Sequence, residues 1–153
     1  MTPLSSWARA RDPKTSKAKE RAKKLPESET KHGKAVPFPY TDPKKTYLKD
    51  FTNKEINTQI ESASIKRRPL KGLHAIQHSV KTPRVEEYIE HPDAIPPEQR
   101  HPSHRGKIDV PIEVKYKGVR HIHDGHHRLT ALHLQGETHA DMRYVDLDKV
   151  ERV

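Results

Sequence analysis

Apolar positions alternate most regularly in "VPIEVKYKGVRHIHDG" (110 to 125). Ile112, Val114 and Tyr116 share one side, Lys117-Gly118 interrupts, and then Val119 and His121 alternate with Arg120 and Ile122. A period of two is the signature of a strand, and a Lys-Gly pair suits a tight turn, so the stretch predicts a β-hairpin. Directly afterwards Leu129, Leu132 and His133 recur at helical spacing up to Gly136, which predicts a short helix stopped by glycine. "ADMRYVDLD" (140 to 148) predicts a last strand.

Upstream the period changes to that of helices. Over residues 78 to 92, Thr82 is placed as N-cap, Pro83 as first helical residue and Pro92 as terminator, with Val85, Tyr88 and Ile89 on one face. Thr52 and Glu55 form a capping-box pair ahead of Ile56, Ile60 and Ala63, predicting a short helix with one sticky face. Elsewhere the pattern is weak. "TSKAKERAKKLPE" (15 to 27) has helix formers but almost no apolar stripe, so a helix there is expected to be exposed and marginal on its own. Pro37, Pro39 and Pro43 predict an extended linker that lays Phe38 and Tyr40 on a neighbouring surface. "DAIPPEQRHPSHRGK" (93 to 107) reads as a surface loop, and "IKRRPLKG" (65 to 72) as a solvated turn or a contact to nucleic-acid backbone.

Helix, hairpin, helix, strand is an α+β order. Three regions follow: a basic arm and linker at 1–50, extended or disordered by itself; a short helix and connector at 51–72; and an α+β domain at 73–153. Composition agrees with the division. Only 31% of the 153 residues are hydrophobic, too few for the whole length to share one core. Of the net charge of +9, residues 1–50 supply +7, from 13 Lys and Arg against 6 Asp and Glu. Such an arm suits an anionic partner, and Lys17, Lys19, Arg21, Lys23 and Lys24 are its candidate nucleic-acid contacts, although a solvated leader has the same composition. There is no cysteine, which excludes disulfides, thiolate metal sites and thiol catalysis. No apolar run reaches the roughly 20 residues that span a bilayer and no secretion signal opens the chain, so a cytoplasmic protein without a membrane partner is expected.

The chemistry concentrates in "HIHDGHHRLTALHLQGE" (121 to 137), with five histidines, an Asp-Gly turn and an arginine where a strand hands over to a helix. A helix N-terminus carries unpaired N–H groups and the positive end of the macrodipole. Gly125 would let a phosphate approach, Arg128 would fork onto its oxygens, and His126 and His127 would sit beside it as donors. An arginine in the first helical turn opposes the macrodipole unless an anion is near; the alternative is an ion pair with Asp124 or Glu113. Asp124 suits a turn-holding residue, or a general base or magnesium ligand. His121, His123 and Asp124 could instead hold a metal, Zn²⁺ or Mn²⁺ by donor type, although the anion site is preferred.

From about Leu73 to Asp148 the sequence resembles the ParB/sulfiredoxin superfamily, in particular the ParB-like domains found as accessory proteins in phages and mobile elements. The resemblance lies in "LHAIQHSVKTPRVEEYI", "PIEVKYKGVRHIHDGHHRLTALHLQGE" and "MRYVDLD". Gly125, Arg128 and Ala131 match the family's phosphate-binding G-x-x-R-x-x-A signature, Gln77 its glutamine near the start of the domain, and Pro111-Ile112 its proline-led first strand. The resemblance implies a small ParB/sulfiredoxin-like fold with Gly125, His126, His127, Arg128, Thr130 and Ala131 at the phosphate and Gln77 on the ligand side. It implies a nucleoside triphosphate with Mg²⁺ as candidate cofactor, and phosphoryl-transfer or nuclease chemistry supported by Asp124, His126 and His127. Sulfiredoxin chemistry is excluded, because His126 stands where that family needs cysteine. His126-His127 also replaces the glutamate-arginine pair of partition-type ParB proteins, which sets their clamp loading aside.

Three function classes follow. The first is a ParB-like domain binding a nucleotide or nucleic acid at 125–131, and whether it turns the ligand over is left open. The second is a non-enzymatic interaction protein, for example virion-associated, that uses the fold as scaffold and the arm as binding segment. The third is a metal-dependent hydrolase built on the histidines. For the first, protonation of His126 or His127 beside a phosphate should raise affinity as pH falls from about 8 to about 6.

Overall fold

The computed structural model describes residues 13–27, 33–41, 46–91 and 110–150. Parts of the arm at 1–12, 28–32 and 42–45, with Pro43, and the 93–107 loop with Pro92 lie outside the described residues. The fold is α+β, with four α-helices among the described residues, a five-stranded mixed sheet and a two-stranded ribbon. In chain order the elements are α1 (Pro13–Lys23), β1 (Lys34–Ala35), a 3₁₀ turn (Thr46–Lys49), α2 (Asn53–Ser62), β2 (Ile65–Pro69), β3 (Leu73–His74), β4 (Ser79–Val80), α3 (Thr82–Glu90), β5 (Ile112–Tyr116), β6 (Val119–Asp124), α4 (His126–Leu134), β7 (His139–Asp146) and a final 3₁₀ turn (Leu147–Lys149).

The large sheet runs β2-β7-β5-β6-β3. The hairpin stands as expected: β5 and β6 pair antiparallel about Lys117 and Gly118, both at positive φ. β7 returns parallel to β5, Ile112 opposite Arg143, and α4 makes the crossover between β6 and β7. Alternation then sorts the side chains into two layers. Ile122, Ala140 and Met142 pack with Leu129 of α4 and with Leu70, Leu73 and Phe38, while Ile112, Val114, Tyr116 and Val145 pack with Tyr47, Phe51 and Ile56. α2 begins with the expected capping box, in which Thr52 and Glu55 satisfy each other's backbone N–H groups. α3 starts one residue earlier than its sequence signal, with Lys81 as N-cap, because the Lys81 carbonyl accepts from both Arg84 and Val85.

Two segments differ from expectation. α1 does not stand exposed: Ala18 and Ala22, one helical turn apart, are fully buried against Val80, Val85, Tyr88, Ile89, Ala131 and Leu134. Alanine adds little bulk, so the contact depends on close approach to α3 and α4 rather than on a wide apolar stripe. Lys19 pairs with Glu90 of α3, and Arg21 Nη1 donates to the Leu134 carbonyl at the end of α4 at 2.7 Å, where a cation also suits the macrodipole. The second is "IKRRP", which is not a turn but edge strand β2, paired antiparallel with β7 over all five residues. Its Arg68 reaches the wholly buried Glu113 through two hydrogen bonds of 3.1 and 3.2 Å, and Arg120 binds the same carboxylate at 2.7 and 2.8 Å.

Candidate functional site

α4 begins at Gly125, whose φ of 97° and ψ of 25° are left-handed and favour glycine. The absent side chain makes room for protein: a Cβ here would stand 2.7 Å from Cβ of Pro111 and 3.0 Å from its Cα. The expected clearance for an anion in front of Gly125 is therefore corrected, because Pro111 occupies that side. The preceding Asp124 folds back, Oδ1 accepting from the Gly125 N–H at 2.9 Å, which is its turn-holding role. Gly125 makes no side-chain cap to the helix.

The two histidines of the first turn do structural work. His126, buried, accepts the Ile76 N–H at Nε2 (3.0 Å), and His127 accepts the Lys81 N–H at Nε2 (3.1 Å). Together they fasten the start of α4 to the backbone of residues 76–81. An accepting Nε2 is unprotonated and turned toward protein, so neither ring offers that nitrogen to a phosphate or to a reacting proton. Burial, reinforced by Arg84 and Lys81, pushes the His127 pKa down to about 4. The expected rise in affinity between pH 8 and 6 through His127 is corrected on that ground.

Other expected ligand residues also move. Thr130 is wholly buried, its Oγ1 without a partner, and Ala131 belongs to the core beneath α1, so Thr130 is withdrawn from the phosphate contact. Gln77 Nε2 donates locally to the Ser79 carbonyl at 2.6 Å. His121 and His123 do point the same way, but toward Tyr47: its hydroxyl lies 2.6 Å from His123 Nδ1, and the buried His121 ring meets its edge. Among the described residues no three His, Asp or Glu side chains are grouped to hold a metal. Of the arm cations, Lys19 and Arg21 are engaged within the fold, while Lys17, Lys23 and Lys24 are exposed.

Arg128 remains. It is half-buried and forms no ion pair or hydrogen bond with a described residue; Glu113, offered as its alternative partner, is taken by Arg68 and Arg120. The guanidinium borders a cavity of about 290 Å³ between the flank of α4 (Arg128, Ala131, Leu132), the start of β7 (His139, Ala140, Asp141), Val110-Pro111 and Tyr88 of α3, with Arg67 and Glu137 completing it. The alternating pattern gave no sign of this cavity, because its walls come from four separate stretches of chain. Tyr88, read as part of an apolar helix face, also borders this cavity.

With this geometry in hand, comparison with known protein families, curated proteins and solved structures finds no match to the chain. Among the described residues no helix is long and apolar enough to cross a membrane.

Proposed function

We propose that the chain is a ParB-like phosphate-binding domain whose ligand, a nucleotide or a nucleic-acid phosphate, is held at the first turn of α4. One observation carries this: Arg128 is a partly buried guanidinium with no described partner, placed where its charge opposes the helix macrodipole. The helix start adds N–H groups that no described side chain caps. Support for nucleic acid in particular comes from Lys17 and Lys23, exposed on the docked α1, and from Lys24 just beyond it. For chemistry, Asp124 is the remaining candidate base, since His126 and His127 direct Nε2 at backbone; binding is therefore the function put forward, with turnover as a separate outcome.

The test is calorimetry on the parent and on Arg128→Ala with a panel of nucleoside triphosphates and a short DNA, each with and without Mg²⁺, alongside phosphate release. Arg128→Ala should weaken binding about 10- to 100-fold, the range of a lost charge-assisted hydrogen bond. Equal affinity in the two proteins removes the phosphate site, and phosphate release by the parent adds an enzymatic role.

A further inference from the structure

The face of the sheet away from α4 gathers imidazoles that the phosphate site does not use. His74 on β3 stands opposite His121 on β6 in the parallel register, and His123 follows two residues on, so the three rings share one side of the sheet. Against them sits Tyr47, the wholly buried residue of the first 3₁₀ turn. Its ring centroid lies 5.7 Å from that of His121 and 5.8 Å from that of His123, and its hydroxyl 2.6 Å from His123 Nδ1. The Phe51 N–H donates to the Tyr47 carbonyl at 2.9 Å, and Tyr47, Phe51 and Ile56 of α2 form one apolar layer over Val114 and Tyr116.

We propose that His74, His121 and His123 form an acid-operated latch: neutral, they hold the Tyr47 turn, and with it Phe51 and α2, onto the sheet, and protonated they release that layer. The device stands apart from the phosphate site, on the opposite face of the sheet. A positive charge here has little to meet. His121 is buried, with Nδ1 3.3 Å from the Val114 carbonyl. Burial holds its pKa below the ordinary value, the Val114 carbonyl opposes that, and His74 lowers it further. His74 Nδ1 is buried without a hydrogen-bond partner among the described residues, so charging that ring would add an N–H with no acceptor. Around His121, β5 supplies Val114 and the Tyr116 phenol, the turn supplies Tyr47, and β6 supplies His123. Lys49, Lys54 and Glu55 of the turn and α2 are exposed, Asp124 is turned to the Gly125 N–H, and no carboxylate acts on His121. Protonation therefore places like charges side by side beneath an apolar layer, and opening the layer to water relieves them.

The experiment follows amide hydrogen exchange of the full chain from about pH 7.5 to about pH 5, corrected for the intrinsic pH dependence of exchange, in the parent, His121→Phe and His127→Gln. An imidazole whose folded pKa is depressed stabilises the closed layer fully above about 6.5 and progressively less below it. Opening should therefore grow by up to about tenfold per pH unit for each ring that takes up a proton. Amides of residues 46–62 should lose protection by that factor while those of α4 and β7 keep theirs. His121→Phe keeps a packed ring that cannot be charged and should make the loss shallower. His127→Gln, on the other face, should leave the response of 46–62 unchanged. The latch is overturned if 46–62 keeps its protection down to about pH 5, if α4 and β7 open together with it, or if His121→Phe retains the parent's full pH dependence. Should that variant not fold, imidazole NMR on the parent takes its place: His121 must take up its proton below about 6.5, and titration at or above that value overturns the latch.

Discussion

Three arginines approach the sheet and its crossover helix, and they live in two different worlds. Arg68 and Arg120 converge on Glu113, a carboxylate with no exposed surface, and Arg120 also donates to the Pro69 and Lys71 carbonyls. Arg128 has no described carboxylate and no described carbonyl. In the first group each buried charge is answered by a neighbour fixed by strand pairing, so the group locks β2, β5 and β6 into register. The lone cation is answered by nothing among the described residues. Sequence proximity to chemistry is a poor guide to which is which: Arg68 sits in a basic run that invited a nucleic-acid reading, and it turns out to be structural.

Breaking the first group should cost most. Glu113→Ala leaves two guanidinium groups facing a hole, and unfolding in urea should show a loss of about 3–5 kcal/mol. Less than about 1 kcal/mol would mean that water already answers Arg68 and Arg120. Next in size is the ligand effect of Arg128→Ala, worth about 1.5–3 kcal/mol of binding. In the absence of ligand the same substitution should stabilise the fold by roughly 0.3–1 kcal/mol, because it removes a cation from a helix start. A destabilised variant would show that Arg128 has an internal partner after all.

Acid should separate the groups along the pH axis. His127 titrates at about 4 in the folded chain against roughly 6.5 unfolded, so its contribution is complete above about 6.5 and drains away as pH falls toward 4. Burial alone would raise the Glu113 pKa, but the hydrogen bonds from Arg120 and Arg68 hold it below its ordinary value. Its contribution is thus complete above the unfolded carboxylate range near 4.3 and is lost only at lower pH. Stability measured between pH 7 and 3 should fall in two stages, and His127→Gln should flatten the upper one. The smallest expected effect is none: with His127 neutral, it should add no slope to ligand affinity between pH 8 and 6. A His127-dependent rise toward pH 6 would restore this ring as a ligand donor.

Much of the fold was legible where its signals are local. The Lys117-Gly118 turn, the Thr52-Glu55 box, the Gly125 start and the Gly136 stop of α4 each depend on residues a few positions apart. What was missed depends on distance. β2 becomes a strand through pairing with β7, some 75 residues later, and its alternate positions look solvated until Glu113 is known to face Arg68. α1 buries two alanines, which no hydrophobic stripe could announce. At the candidate site, glycine and arginine were placed correctly on the first turn, but the histidines beside them serve backbone donors on a segment some 45 to 50 residues earlier, a pairing with no signature in spacing.

The docking of α1 also fixes an order of events during synthesis. The surface that receives Ala18 and Ala22 includes Ala131 and Leu134, so the helix made first waits for residues made more than a hundred positions later. At ribosomal speeds that interval is roughly 5–20 s. A segment that must wait unpartnered is safest when it is polar and short of large apolar side chains, since little on it can adhere to other nascent chains. The charged, alanine-bearing sequence of α1 meets that requirement, and what looked like weak helical character reads equally well as protection against premature association.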